Sequence, residues 1–303
     1  MEKCWPAAAL VYLAGLAVGV LAVSFASILI RLAQAEGMPS LAIAAWRLLV
    51  ASAVLLPYAW ATRRAEIRDL SRRDVALLAL SGLFLGLHFA AWIASLGYTS
   101  VASSVVLAST GPIFVALGSW LFLRERPGSL LALGILMAAA GGIAISWADF
   151  GRGGDHLLGD LLALTGGGMV AGYLIIGRQV RGRLSLSAYV PLVYGTGMLT
   201  LRAVLLAAGE PLLGHTPAAY GLVLALGLGP QLVGHSSLNW ALRYLSATFV
   251  SIVILAEPIA SSILAYLILA EEITGPTVAG GSLVLAGIYI ASRAELAGTG
   301  RGS

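Results

Sequence analysis

Residues Leu96–Glu125 read LGYTSVASSVVLASTGPIFVALGSWLFLRE, and residues Leu242–Glu271 read LRYLSATFVSIVILAEPIASSILAYLILAE. Aligned at a constant offset of 146, both carry a proline in the middle (Pro112, Pro258) and a glutamate thirteen residues later (Glu125, Glu271). The offset continues without a gap to Ser146 and Ser292, pairing Gly134 with Gly280 and Gly141 with Gly287. Leucine and alanine coincide by chance in so apolar a chain. A mid-span proline, an interfacial glutamate and two spaced glycines do not readily coincide together. Upstream the match is weaker, near an offset of 147, with Arg31 against Arg178 and Ser40 against Ser187. The chain therefore reads as two copies of one unit, residues 1–147 and 148–303.

Composition sets the solvent of those units. Of 303 residues, 59% are hydrophobic and 11% charged. A soluble domain carries about 25% charged residues. Mean hydropathy is +0.93. So few charges cannot coat a soluble globule, which excludes soluble enzymes, disordered chains and disulfide scaffolds. The one cysteine, Cys4, allows no intrachain disulfide and no CxxC site. About 20 apolar residues cross a bilayer as a helix. Such stretches lie near 10–30, 40–61, 75–97, 101–122, 129–147, 158–178, 187–208, 217–241, 246–269 and 276–292. The first run exceeds the roughly 7–15 residues of a signal-peptide apolar region, so it is expected to stay as a span. The polar stretch Arg63–Asp74 is expected to be a solvated loop.

Ten spans in two copies means five per copy. Five is odd, so the second copy enters the membrane upside down. The expected fold is all-α and integral to the membrane, with ten transmembrane helices as two inverted five-helix repeats. Such repeats characterise secondary transporters, with the substrate near the midplane between the halves. Cytoplasmic loops carry the excess of Lys and Arg. With the N-terminus inside, basic residues divide fourteen inside to three outside, with Arg47 within a span. Both termini are therefore expected in the cytoplasm. No Walker A sequence is present, so ATP is not expected to drive transport from this chain.

The run Ala94-Ser95-Leu96-Gly97-Tyr98-Thr99-Ser100-Val101-Ala102, then Pro112, then Leu123-Arg124-Glu125-Arg126-Pro127, resembles the EamA-type signature of the drug/metabolite transporter superfamily. Ala241-Leu242-Arg243-Tyr244-Leu245-Ser246-Ala247, Glu257-Pro258 and Leu269-Ala270-Glu271-Glu272 form the second copy, which departs at Leu245, where a threonine is common. The resemblance covers nearly the whole chain. It implies ten helices, cytoplasmic termini and export of amino acids or related metabolites. The protein is expected in a bacterial inner membrane, as a monomer or homodimer, with no cofactor and no nucleic acid. Within the family the chain is most similar to YddG-type exporters of aromatic amino acids. A drug or nucleotide-sugar carrier is the alternative within the superfamily. An intramembrane hydrolase is the alternative outside transport, and no spacing supplies a nucleophile or carboxylate to a histidine.

Polar side chains at membrane depth face a cavity or another helix. Gln231, His235 and Asn239 follow at i, i+4 and i+8, one helical face. They either line a cavity or tie helices together by hydrogen bonds. Ser81, His88, Trp92 and Ser95 form a second stripe, in which His88 aligns within one residue of His235. A histidine also offers proton coupling, because its unperturbed pKa is about 6.5. No carboxylate or thiol stands at ligand spacing, so no metal is expected. Glu257 sits mid-span beside Pro258, which frees the carbonyl near Ile254, and Thr110-Gly111-Pro112 is the equivalent without the glutamate. Glu257 is a candidate for a substrate ammonium, or part of a helix-kink network. Arg47, about 10 Å deep at 1.5 Å per residue, is a candidate clamp for a carboxylate, or a snorkelling or paired cation. Ser24 and Tyr173 are further mid-span candidates. Glu125 and Glu271 read as caps or anchors, and the Gly134/Gly141 and Gly280/Gly287 pairs as close-packing braces or a dimer face.

Overall fold

The computed structural model describes residues 7–99, 101–124, 128–147, 156–270, 273 and 275–299. Cys4, Glu125 and Glu271 lie outside them. Every described element is a helix. The first apolar run forms α1 (Ala7–Ser24) and α2 (Ala26–Ala35), followed by α3 (Ser40–Arg68) and α4 (Arg72–Ser95). The first proline-bearing stretch forms α5 (Val101–Ala108) and α6 (Gly111–Gly118), and α7 (Ser129–Trp147) follows. Then come α8 (His156–Arg181), α9 (Leu186–Ala208) and α10 (Pro217–Leu226). A π-helical stretch, Gly227–His235, leads into α11 (Ser236–Ala241). The second proline-bearing stretch forms α12 (Ala247–Ile254) and α13 (Glu257–Leu269), and α14 (Gly275–Thr299) closes the chain.

Among the described residues, seven helical stretches are long and apolar enough to cross a membrane. Shorter apolar helices, Gly111–Phe122, Ser129–Gly141 and Val278–Ala291, lie where the fourth, fifth and tenth spans are expected. The molecule is apolar outside: Leu21, Leu136 and Leu267 are 60%, 67% and 68% exposed, while Arg47 and Gln231 are fully enclosed. Lipid demands that distribution, because hydrocarbon offers polar groups no partner.

Local chemistry explains where the helices begin. Ser71, Ser185, Thr216 and Ser246 each accept a hydrogen bond from the backbone N–H three residues on, capping α4, α9, α10 and α12. The expected loop Arg63–Asp74 is largely helical instead. α3 runs on to Arg68, with Arg63 off helical geometry at φ −128°, and α4 begins at Arg72. Alanine, arginine and glutamate favour helix, and only Asp69–Ser71 turn the chain. That turn meets the α8–α9 connection. Glu66 accepts from the Ser185 N–H and Oγ, each at 2.6 Å, and Arg183 pairs with Asp74 at 3.0 Å.

Helix α7 packs along α14. The glycines picked from the repeat make that contact. A Cβ added at Gly134 would lie 2.8 Å from the Gly287 carbonyl oxygen, and one at Gly287 would lie 2.6 Å from that of Gly134. Gly287→Ala is therefore expected to lower unfolding stability in detergent by about 1–3 kcal/mol, the usual range for overpacking. Gly168→Ala, where a Cβ meets nothing within 4 Å, should leave the melting temperature unchanged or slightly raised. Equal behaviour of the two variants would refute the packing account.

Candidate functional site

Within the bundle lies a cavity of about 60 Å³, room for a few water molecules. Arg47 from α3, His88 and Trp92 from α4, Tyr173 from α8, His235 from the π-helical stretch and Glu257 from α13 all line it. Gln231 and Asn239 do not; each stands behind a lining residue and bonds to it. Ser24 bonds to the Val20 carbonyl, while its own carbonyl accepts from Ser261. Thr110 bonds to the Leu107 carbonyl. Pro112 reaches the cavity wall and Pro258 does not.

Arg47 is fully buried. Its Nε donates to Gln231 Oε1 at 2.6 Å, and its guanidinium carbon lies 4.1 Å from the centroid of Phe89. Those contacts hold the plane of the fork and favour its charge. Among the described residues, both terminal nitrogens of Arg47 lack a hydrogen-bond partner. A buried cation that presents two donors at a cavity wall is suited to bind an anion there. The approach of α3 to the π-helical stretch depends on Gly227, where a Cβ would fall 2.6 Å from Val50 and 3.2 Å from the Arg47 carbonyl.

The aromatic wall comes from α4 and α8. His88 Nδ1 donates to the Gly166 carbonyl at 2.9 Å. A carbonyl only accepts, so the neutral ring keeps its lone pair on Nε2. The His88 ring stacks on Trp92, with centroids 5.8 Å apart and planes 6° from parallel. Gly166 makes this possible: a Cβ there would stand 3.2 Å from that of Trp92. His235 meets Phe89 edge-on at 5.2 Å, and its Nδ1 has no partner among the described residues. Trp92 Nε1 also has none. Asn239 donates to the Tyr173 hydroxyl and to the His235 carbonyl, so the phenol is fixed from behind.

Glu257 occupies the first turn of α13, where the helix dipole favours a carboxylate. No hydrogen bond or ion pair within 4 Å involves it among the described residues, Arg47 included. The chain bends just before it. Leu255 and Ala256 bond three residues back rather than four, and Pro258 offers no N–H to Ile254, itself part of the wall.

Two contributors escape the sequence argument. Phe89 lies three residues from Trp92 on the same stripe, a spacing that would have found it. Tyr194 bonds to the Gln231 carbonyl and to Ser236, each at 3.3 Å. It stands 147 residues after Arg47, so the repeat offset would have found it too.

The family model for EamA-like transporters matches the chain twice, over residues 10–147 and 157–293. An uncharacterised transporter of Archaeoglobus fulgidus is 31% identical, over 66% of this chain and 71% of its own. The uncharacterised transporter YdfC of Bacillus subtilis is 26% identical over 84% of this chain and 82% of its own. The pseudopaline exporter CntI of Pseudomonas aeruginosa is 26% identical over 75% and 78%. A solved crystal structure superimposes with a TM-score of 0.72 at 19% identity, covering 96% of this chain and 99% of that one. It is a likeness of fold.

The network around Arg47 makes a stability prediction. Gln231→Leu strips the buried guanidinium of its one side-chain acceptor and should cost about 1.5–3 kcal/mol. Replacing both partners, Arg47→Met with Gln231→Leu, should recover much of that loss. Thermal unfolding of the single and double variants measures both. A double variant no more stable than the Gln231→Leu single would count against the pairing.

Proposed function

This chain belongs to the EamA-like transporter family, and we propose that it exports amino acids, aromatic and apolar ones included, by alternating access around the cavity. It is a multi-pass membrane transporter of small molecules, not an enzyme. The proposed architecture is ten transmembrane helices in two inverted repeats, residues 1–147 and 148–303, in a bacterial inner membrane with both termini cytoplasmic. The double family match supports the two-unit reading. So do two equivalent latches. Arg31 donates to the Leu96 carbonyl at 3.0 Å and Arg178 to the Leu242 carbonyl at 3.2 Å, at offsets of 147 and 146.

One observation carries the substrate class: the two unpartnered terminal nitrogens of Arg47 in a wall that also holds the unpaired carboxylate of Glu257. A free amino acid offers the complementary carboxylate and ammonium. Trp92, His88, His235 and Tyr173 supply rings for its side chain. That wall motivates the YddG-type reading. A nucleotide diphosphate would call for several cations, and Arg47 is the one among the described wall residues. The relative named for pseudopaline supports export of small metabolites.

Proteoliposomes carrying the full chain and labelled phenylalanine test the reading. Wild-type protein should accelerate phenylalanine movement over empty liposomes. Arg47→Gln should lose at least about tenfold of it, the cost of one charge-assisted pair. Failure of the wild type to move any amino acid would remove the substrate class. A reporter fused after Ser303 should score cytoplasmic, and a periplasmic score would end the even-span architecture.

A further inference from the structure

The exporter reading leaves open what drives it, and the cavity wall addresses that. We propose that Glu257 is its coupling group, holding a proton while the cavity is empty and releasing it when a substrate ammonium arrives. The inference rests on the exporter reading and extends it to energy coupling. Glu257 is the sole carboxylate among the described residues of the wall. Among the described residues no donor holds it, and it stands beyond 4 Å from Arg47. It can therefore be neutralised in two mutually exclusive ways, by a proton or by a substrate cation. Mutual exclusion at one group is the minimum device for antiport.

The neighbouring groups do not compete for this role. Arg47 is a fixed cation. Tyr173 is committed to Asn239, and His88 Nδ1 to the Gly166 carbonyl. A proton on His88 or His235 would set a second cation beside Arg47 in the same cavity. The elements packed against α13 are α1, α2 and α5. Among their described residues the titratable groups are Tyr12 and Arg31, and Arg31 bonds to the Leu96 carbonyl.

The internal repeat sets the stoichiometry. The position equivalent to Glu257, one residue before Pro112, is Gly111. The chain thus holds one such carboxylate rather than two, and one proton exchanges per substrate. Charge accounting gives the direction of coupling. Loaded with a zwitterion, Arg47 meets the substrate carboxylate and Glu257 its ammonium, so the site is neutral. Returning with Glu257 protonated, the site carries the charge of Arg47, and the cycle moves one positive charge inward with the proton.

The test uses the full chain in detergent with phenylalanine as probe. Equilibrium dialysis reads binding, and an indicator in weak buffer reads released protons. Wild-type protein should release up to about one proton per phenylalanine bound. Glu257→Gln should release none while keeping its melting temperature. Release that persists in Glu257→Gln, or that disappears instead in His235→Gln, overturns the proposal. A second measurement needs no substrate. Infrared difference spectra across pH should contain a carboxylic-acid carbonyl band in the wild type that is missing from Glu257→Gln. No such band in the wild type overturns the coupling role. The band without phenylalanine binding keeps the coupling role and rejects the amino-acid reading alone.

Discussion

A fully buried guanidinium organises the centre of this molecule. A buried cation is tolerated only where its donors are met and its charge is balanced. Gln231 and Phe89 supply part of that for Arg47, and the rest faces the cavity. Gly227 lets the π-helical stretch close onto α3, so that Gln231, one turn later, meets Nε. The widened π geometry carries both Gln231 and His235, in keeping with the tendency of such turns to occur at functional sites. Tyr194 then bonds the Gln231 backbone from α9. Three elements, α3, α4 and the π-helical stretch, thus meet at one side chain, and α9 joins them through the Gln231 backbone.

The two halves are alike in their framework and unlike in their chemistry. Prolines at 112 and 258, arginine latches at 31 and 178, and histidines at 88 and 235 recur at offsets of 146 or 147. The remaining wall breaks the correspondence: Tyr194 stands where the first half has Arg47, Asn239 where it has Trp92, and Gly111 where the second half has Glu257. The departures give the cavity wall one arginine, one glutamate and its aromatic rings.

Much of this was legible in the sequence. Membrane residence follows from too few charges and too much apolar length, because hydrocarbon accepts nothing else. The approximate helix positions follow from apolar runs. Arg47, His88, Trp92, Tyr173, His235 and Glu257 stood out because polar or aromatic groups at membrane depth need a reason to be there, and all six line one cavity. The physics of solvation marks such residues one at a time, without knowing their neighbours.

What the sequence left open is partnership. Gln231 and Asn239 share a helical period with His235, yet they support the wall instead of forming it, because π-helical turns shift the register that an ideal helix assumes. Ser24 and Thr110 do not reach the wall, and their hydroxyls are spent on the Val20 and Leu107 carbonyls. The charged stretch after position 62 reads as a loop by polarity and folds mostly as helix by propensity. Depth, polarity and period are properties of a segment and can be read along the chain. Which donor meets which acceptor, and which donors remain idle, depends on contacts between residues as far apart as Arg47 and Gln231, and only the packed bundle decides them.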